Sequence, residues 1–346
     1  MKKRILIGIN NLSGNSIGIS LISLLSNIDT SKYDIDLIFA NSQTTLLNQI
    51  PQYVNIIYSP FNDDKIKFMD KLKLYHKYSL SLMYDFGSQK LLETIKKASK
   101  NSCVYMHRNL KDIYIVPSKL NQFIEENKIF DFKKIIFSNE LLKESFEKSF
   151  PDEKNKHFVL EYVVNNERIV KLSNVNVEAS KPKNTTLLFT AGTLNDRSKN
   201  YSLMIKMMAN LTKLNNHVHL WILGDGPDLV NLKIMVKNYG LSDYVTLFGF
   251  KSNPYPYMKM ADYIINTSET SDSSTTLIEA RVLQKPIIST SSDFKNPNTY
   301  IVSADPNMIA RQINNIILKK VIYTGNNNFW VENQKILKTF DEIVDR

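Results

Sequence analysis

Cys103 is the only cysteine in this chain of 346 residues. A single thiol excludes an intrachain disulfide and leaves no metal site to be built from cysteines. It lies in the apolar run Ser102-Cys103-Val104-Tyr105-Met106, where a small buried residue is expected. Long apolar runs are missing too, since no stretch approaches the ~20 residues of a membrane span. The start Met1-Lys2-Lys3-Arg4, followed by Ile5-Leu6-Ile7-Gly8-Ile9, has the order of a secretory signal, but the apolar run stops at Asn10. That is too short for a signal core, so it reads as a first buried strand and the expected location is the cytoplasm. No repeat of fixed period occurs, and the composition is neither disordered nor collagen-like. Zinc-module spacing and the aromatic signature of an RNA-binding sheet are absent as well, so no nucleic-acid partner is expected.

What is present has the balance of a soluble globular protein, with 43% hydrophobic and 23% charged residues. The length suffices for two domains, each with its own core. Lys and Arg number 44 against 34 Asp and Glu, a formal net charge of +10. That excess suits an anionic partner such as a phosphorylated ligand or a membrane face, while solvated lysines from a lysine-rich proteome give the same sum. One basic segment, residues 64–78, sets Phe68, Met69, Leu72 and Tyr75 on one helical face among Lys67, Lys71, Lys73 and Lys77. Such a helix either rests on an anionic membrane near a lipid-linked acceptor or packs its apolar stripe on its own sheet.

Short continuous apolar runs alternate with helical patterns, as in parallel βαβ units covered on both faces. In the first half, strands are expected at 5–9, 35–40, 54–57, 80–84, 103–106, 135–137 and 158–162, with helices at 20–28, 44–50, 90–98 and 139–150. Residues 172–185 are polar, contain a proline and lack periodicity, which reads as an interdomain linker. The alternation then restarts, with strands at 186–190, 217–223, 245–248, 263–266 and 286–289 and helices at 202–214, 229–239, 255–260 and 275–283. Residues 331–344 have helical spacing. The expected organisation is a domain at 1–172, a second at 173–330, and a closing helix at 331–346 that returns to the first domain. Two open α/β sheets facing one another place a ligand cleft at the carboxyl ends of their strands.

Three segments of the second half carry chemistry. Gly224-Asp225-Gly226-Pro227 follows one strand directly and makes a tight turn into a helix, a corner whose weight comes from its position. Leu247-Phe248-Gly249-Phe250-Lys251-Ser252-Asn253-Pro254-Tyr255 is either an ordinary βα loop or one that offers its backbone to the edge of a base. The third runs from Asn266 through Ser271, Asp272, Ser273 and Ser274 into a helix with Thr275, Thr276 and Glu279. The first N–H groups of that helix and its dipole favour an anion, the hydroxyls suit a diphosphate, and Glu279 can accept from a ribose diol. The competing reading is a capped helix with Glu279 as capping-box partner.

In this order, these motifs together with the Gly192 loop and Leu-Ile-Glu-Ala ahead of Lys-Pro-Ile-Ile-Ser-Thr resemble the family 4 glycosyltransferases. The resemblance runs through the C-terminal half and is looser before it. There, Gly14 in Ser13-Gly14-Asn15-Ser16 sits where the family has a glycine loop near the donor, and His107 ends a strand as a histidine does that approaches the donor sugar. It implies the GT-B fold, two Rossmann-like domains facing each other across a cleft, and transfer of a sugar with retention. It also implies no cofactor and no metal, with the nucleotide-sugar, a UDP-sugar, as substrate. Residue by residue, it assigns Glu279 to the ribose and Thr275 and Thr276 to the diphosphate. Phe250 and Lys251 fall to the base, Lys199 with Arg197 to the phosphates, and His107 and Lys199 to catalysis. Ser271, Asp272, Ser273, Ser274 and Gly224 complete the donor loops.

The chain departs from the pattern where a glutamate stands eight positions before the ribose-binding one, since Ser271 is found there. Asp272 replaces the glycine that follows that glutamate, and Thr193 replaces the arginine after Gly192. The nucleotide half of the site tolerates these changes better than the sugar half. The expected activity is transfer to a hydroxyl of a cell-surface glycan, polymer or glycoprotein. The alternative is a catalytically silent GT-B adaptor that binds acceptor or a partner glycosyltransferase. A nucleotide-sugar epimerase on the same fold is a further alternative that the order of the four motifs disfavours.

Overall fold

A computed structural model describes residues 2–12, 16–40, 46–57, 77–86, 88–107, 110, 114, 116–152, 157–268, 275–292, 298–325 and 328–345. The chain divides into two compact units, Met1–Val164 with Phe329–Arg346, and Asn165–Asn328.

The first unit holds strands β1 (Lys3–Ile9), β2 (Tyr33–Phe39), β3 (Asn55–Ile57), β4 (Leu80–Met83), β5 (Ser102–Met106), β6 (Lys134–Phe137) and β7 (His157–Val159). They form one parallel sheet in the order β3-β2-β1-β4-β5-β6-β7. Its helices are α1 (Ser16–Asn27), α2 (Gln89–Ala98), α3 (Pro117–Glu126) and α4 (Glu140–Ser149). β1 shows why its strands are apolar throughout. Ile5 and Ile7 enter one core cluster and Leu6, pointing the other way, enters another. A strand buried on both faces leaves no position for a polar alternation.

The second unit opens with helix α5 (Asn166–Ser173). Strand β8 (Thr186–Ala191), helices α6 (Asp196–Lys199) and α7 (Tyr201–Leu214), β9 (Val218–Leu223) and α8 (Leu229–Asn238) follow. Next come β10 (Val245–Gly249), α9 (Tyr255–Met260), β11 (Tyr263–Asn266), α10 (Thr275–Val282), β12 (Ile287–Ser289), β13 (Thr299–Ile301) and α11 (Pro306–Leu318). The sheet is parallel in the order β10-β9-β8-β11-β12-β13. Here Leu187 and Phe189 of β8 face one cluster and Leu188 the other. Strand order reverses between β8 and β11, and in such sheets the crevice beyond the strand ends at the reversal is where ligands bind.

The closing helix α12 (Phe329–Asp345) belongs to the first unit and inserts Phe340, Ile343 and Val344 into its core. Phe340 meets Tyr33 edge-on at 5.8 Å between ring centroids. Asn333 exchanges two hydrogen bonds with the backbone of Val164, at 2.9 and 2.7 Å. The buried Lys134 Nζ donates to the Ile343 carbonyl at 2.6 Å, a cation at the end of the helix where the dipole is negative.

Several elements differ from the sequence reading. The unit boundary follows Val164 instead of residue 172, so the polar stretch 172–185 lies inside the second unit. It is pinned there, with Val177 and Ala179 against the core and Lys181 Nζ at 2.6 and 2.5 Å from the two Asp262 oxygens. The helix expected at 44–50 is a short 3-10 turn at Leu47–Gln49 among the described residues, and the seventh strand ends at Val159. α3, α5, β13 and α11 were not read from the sequence. α3 buries only Leu120 and Ile124, too thin a stripe for a periodicity argument. α11 carried recognisable signals, with Asp305 capping it and Pro306 in its first turn. Residues 64–76 of the basic segment lie outside the described residues.

Candidate functional site

At the reversal between β8 and β11, a recess is lined by Thr190, Ala191, Lys199, Asn266, Ser268 and Thr276, among others. Lys199 is brought there by backbone constraints. Asp196 opens the short helix α6, and its carboxylate accepts from the Ser202 amide at 2.6 Å and the Ser202 hydroxyl at 2.5 Å. Asn200 adopts a left-handed conformation (φ 51°) and caps α7 through a 3.3 Å bond from the Leu203 amide. Thr267, at the end of β11 and 1% exposed, donates its hydroxyl between the carbonyls of Lys199 and Asn200, at 3.0 and 2.9 Å. The cation-bearing loop is therefore tied to the strand end beside which α10 begins. Beneath it, Ser268 donates to Asn266 at 2.8 Å and Asn266 to Ser289 at 3.2 Å, a buried polar layer at the strand ends. Burial, with Asp196 nearby, pushes the Tyr201 phenol well above its ordinary range, so it lines the recess as a neutral hydroxyl.

Glu279 lies on α10 one turn after Thr276 and is 3% exposed. A buried carboxyl without partners would be costly, and Tyr255 supplies one by donating to Oε1 at 2.9 Å. Arg168 on α5 in turn donates to the Tyr255 oxygen at 3.3 Å, its guanidinium lying 5.8 Å from the ring centroid. Neither Arg168 nor Tyr255 was singled out from the sequence. Tyr255 stands inside the Asn-Pro-Tyr motif, yet no spacing rule connects it to a glutamate 24 residues on.

The other assigned residues divide by place. Thr276 faces the recess, but its hydroxyl donates to the Ala191 carbonyl at 3.2 Å, which fastens α10 to β8 and commits the proton that a phosphate would want. Thr275 is the first residue of α10 and half-buried. Arg197 is exposed and does not line the recess with Lys199. Phe250 and Lys251 follow β10, at the edge of the sheet, and Phe250 is 53% exposed. Gly224 takes a backbone role. It adopts φ 141°, and a Cβ there would come 1.8 Å from the Gly192 carbonyl oxygen. Backbone bonds from Gly192 to Leu223 (3.0 Å) and from Leu194 to Asp225 (2.9 Å) join the two loops directly. Thr193, where the family has an arginine, is exposed.

In the first unit, His107 follows β5 and its Nε2 is 2.8 Å from the Tyr84 carbonyl oxygen. A carbonyl only accepts, so Nε2 carries the proton and Nδ1 of a neutral ring is an acceptor. The ring packs at 4.0 Å from Tyr105 and 4.7 Å from Tyr84, between centroids. Ser88, near the same strand ends, caps α2 through the Leu91 amide at 3.3 Å. Gly14, Ser271, Asp272, Ser273 and Ser274 lie outside the described residues. Among the described residues, no cluster of three or more His, Cys, Asp or Glu could hold a metal ion, and no helix is long and apolar enough to cross a membrane.

Two doubly wound parallel sheets define the GT-B fold, and solved structures share it along the whole chain. HepE of Anabaena, in complex with UDP and glucose, gives a TM-score of 0.73 over 99% of this chain and 98% of its own, at 16% identity. A glycosyltransferase of Rickettsia africae gives 0.71 over 99% and 98%, at 15% identity. TarM of S. aureus gives 0.67 over 99% and 100%, at 12% identity. At such identities the likeness is one of fold. Residues 174–326 match the model of the family described as glycosyl transferases group 1. Within the chain, 159 residues are 27% identical to an uncharacterized glycosyltransferase of Methanocaldococcus jannaschii, covering 45% of this chain and 39% of that protein. A further match, 32% identical over 95 residues, covers 28% of this chain and 25% of a Campylobacter jejuni enzyme. That enzyme is named N-acetylgalactosamine-N,N'-diacetylbacillosaminyl-diphospho-undecaprenol 4-alpha-N-acetylgalactosaminyltransferase. The matched segments span less than half the length of these curated relatives.

Proposed function

We propose that the protein transfers a sugar from a UDP-sugar to a hydroxyl of a cell-surface glycan, polymer or glycoprotein, with retention at the anomeric carbon. The observation that carries the reading is the recess at the reversal of the second sheet, with Lys199 on one wall and the start of α10 on the other. As the bond from the anomeric carbon to the β-phosphate oxygen breaks, negative charge grows on the leaving diphosphate. Lys199 and the N-terminal amides of α10 stabilise that charge, without calling on a divalent ion. Glu279 accepts from the ribose, and Phe250 and Lys251 present their backbone to the base. His107 is the residue of the first unit assigned to catalysis. UDP as the nucleotide is supported by HepE and TarM, whose structures contain it. A lipid-linked acceptor at the inner membrane face fits the Campylobacter jejuni relative, which by its name acts on a diphospho-undecaprenol carrier.

A second reading rests on Thr193 and Ser271, which replace an arginine and a glutamate of the family pattern. It is a silent GT-B protein that supports a partner glycosyltransferase. Thermal melting with UDP, GDP, CDP and ADP separates the two. A nucleotide at a hundred times its dissociation constant stabilises by about 2.7 kcal/mol, a shift of a few degrees. The transferase reading expects a shift with UDP that Glu279→Ala weakens by about 1.5–3 kcal/mol of binding. If no nucleotide moves the midpoint, the donor site is lost and the adaptor reading stands.

A further inference from the structure

Helix α9 is short and carries Tyr255 at its start, where the side chain is 1% exposed. Its neighbourhood holds it firmly. Asn253 accepts from the Tyr255 amide at 3.3 Å and donates its own side-chain amide to the Leu172 carbonyl at 3.0 Å, so the entry to α9 is pinned to the end of α5. Lys259 Nζ reaches the Asn174 side chain at 2.5 Å and closes the same seam one turn later. Arg168 and Tyr255 therefore face each other from two helices locked together, and Glu279 lies on a third.

The direction of the hydrogen bonds is fixed by chemistry. A guanidinium only donates, so at 3.3 Å from Arg168 the phenol oxygen is the acceptor. The phenol proton is then committed to Glu279 Oε1, at 2.9 Å. A chain running from cation to phenol to carboxyl is polarised along its length, and each bond strengthens the next in a buried setting. Its consequence is geometric. With Oε1 held, the carboxyl of Glu279 has one orientation instead of several, and a planar acceptor so fixed matches a vicinal diol.

We propose that Tyr255, backed by Arg168, is a positioning residue that orients Glu279 for the two hydroxyls of the nucleotide ribose. The inference rests on the ribose role of Glu279 given above and adds two residues that touch neither nucleotide nor sugar.

Calorimetric titration of the full chain with UDP and with 2′-deoxy-UDP tests it. The wild type binds UDP more tightly, since the deoxy ligand gives the carboxylate one hydroxyl fewer. Tyr255→Phe keeps the ring and its packing and removes only the O–H. It is expected to lose about tenfold in UDP affinity, the scale of one hydrogen bond to a charged group, with little change for 2′-deoxy-UDP, so that the ratio between the ligands collapses. Arg168→Gln is expected to shrink the same ratio in part, and it carries the test should Tyr255→Phe fail to fold. A purely structural role would weaken both ligands alike. Variants that bind more weakly with the wild-type ratio would therefore overturn the positioning role and leave the donor site standing. A wild type that does not distinguish the two ligands would overturn the ribose role of Glu279, and the positioning role with it.

Discussion

Replacing Lys199 by methionine keeps most of the length of the side chain in the recess and removes its charge. Two unit charges about 4 Å apart attract by roughly 4 kcal/mol at the effective dielectric of a protein surface. Lys199 is half-buried, so solvent screens part of that, and the diphosphate already carries some charge in the ground state. Only the charge that develops during bond breaking counts towards the rate. About 2–3 kcal/mol remains, somewhat under the effect of deleting one oxyanion donor, or roughly 30-fold to 160-fold in kcat. The fold should hardly notice. The loop is held through carbonyls of Lys199 and Asn200 that accept from Thr267, and these survive any change of side chain. The assay is UDP release from the UDP-sugar that supports turnover, with a denaturant titration on the same preparation. A Lys199→Met protein whose kcat stays within threefold of wild type would refute the role, as would a loss of activity accompanied by an equal loss of stability.

Two further outcomes follow from the geometry of the second unit. Gly224→Ala places a Cβ 1.8 Å from the Gly192 carbonyl oxygen at a φ of 141°, so one of the two loops must move. Urea unfolding should show a loss above about 3 kcal/mol, and a midpoint equal to wild type would disprove the contact. His219, bonded to Thr246 at 2.8 Å, has its pKa held below the ordinary 6.5 by burial, against a smaller opposing effect of a hydrogen bond to the Asp243 backbone carbonyl. Just below pH 6.5 the unfolded ring binds a proton that the folded ring refuses, so stability rises with pH in that window and falls on acidification. Denaturant midpoints at pH 7 and 5.5 should differ less in His219→Gln than in wild type, and equal slopes would rule out the contribution.

The order of strands and helices was open to reading because a sheet covered on both faces makes every strand a continuous apolar run. Ile5 to Ile9 and Leu187 to Phe189 announce themselves in that way. α5 did not. Its buried residues are Ile169 and Ser173, only one of them apolar, and so the unit boundary was placed too late. Among candidate site residues, Lys199 and Glu279 were named because charged groups in motifs carry a chemical expectation. Tyr255 and Thr267 were missed because their parts depend on contacts between segments 24 and 68 residues apart, which no local period encodes. Thr276 shows how a local motif hides a tertiary contact. Its hydroxyl stands at a helix start, the place of a phosphate donor, and in the structure its proton goes to the Ala191 carbonyl.

These residues fall into two physical kinds that the sequence presents alike. Gly192, Gly224 and Gly226 serve backbone approach, for a Cβ on Gly226 would lie 2.5 Å from the Leu194 carbonyl oxygen just as one on Gly224 meets Gly192. Thr267 and Thr276 serve the same end by tying loop and helix to strand ends. Lys199 is held by that frame through its backbone, whereas Glu279 is also tied into it by the bond from Tyr255. A motif made of both kinds survives only while frame and chemistry are kept together. Plotted as stability against nucleotide affinity, substitutions at the glycines and threonines should therefore move along the stability axis and carry affinity down with them. Those at Lys199 should move along the affinity axis, and so should Glu279→Gln, which keeps an acceptor for the buried Tyr255 phenol. If the two groups scattered along one common line, the frame and the chemistry would not be separable, and the assignment of Lys199 and Glu279 as ligand-facing groups would lose its basis.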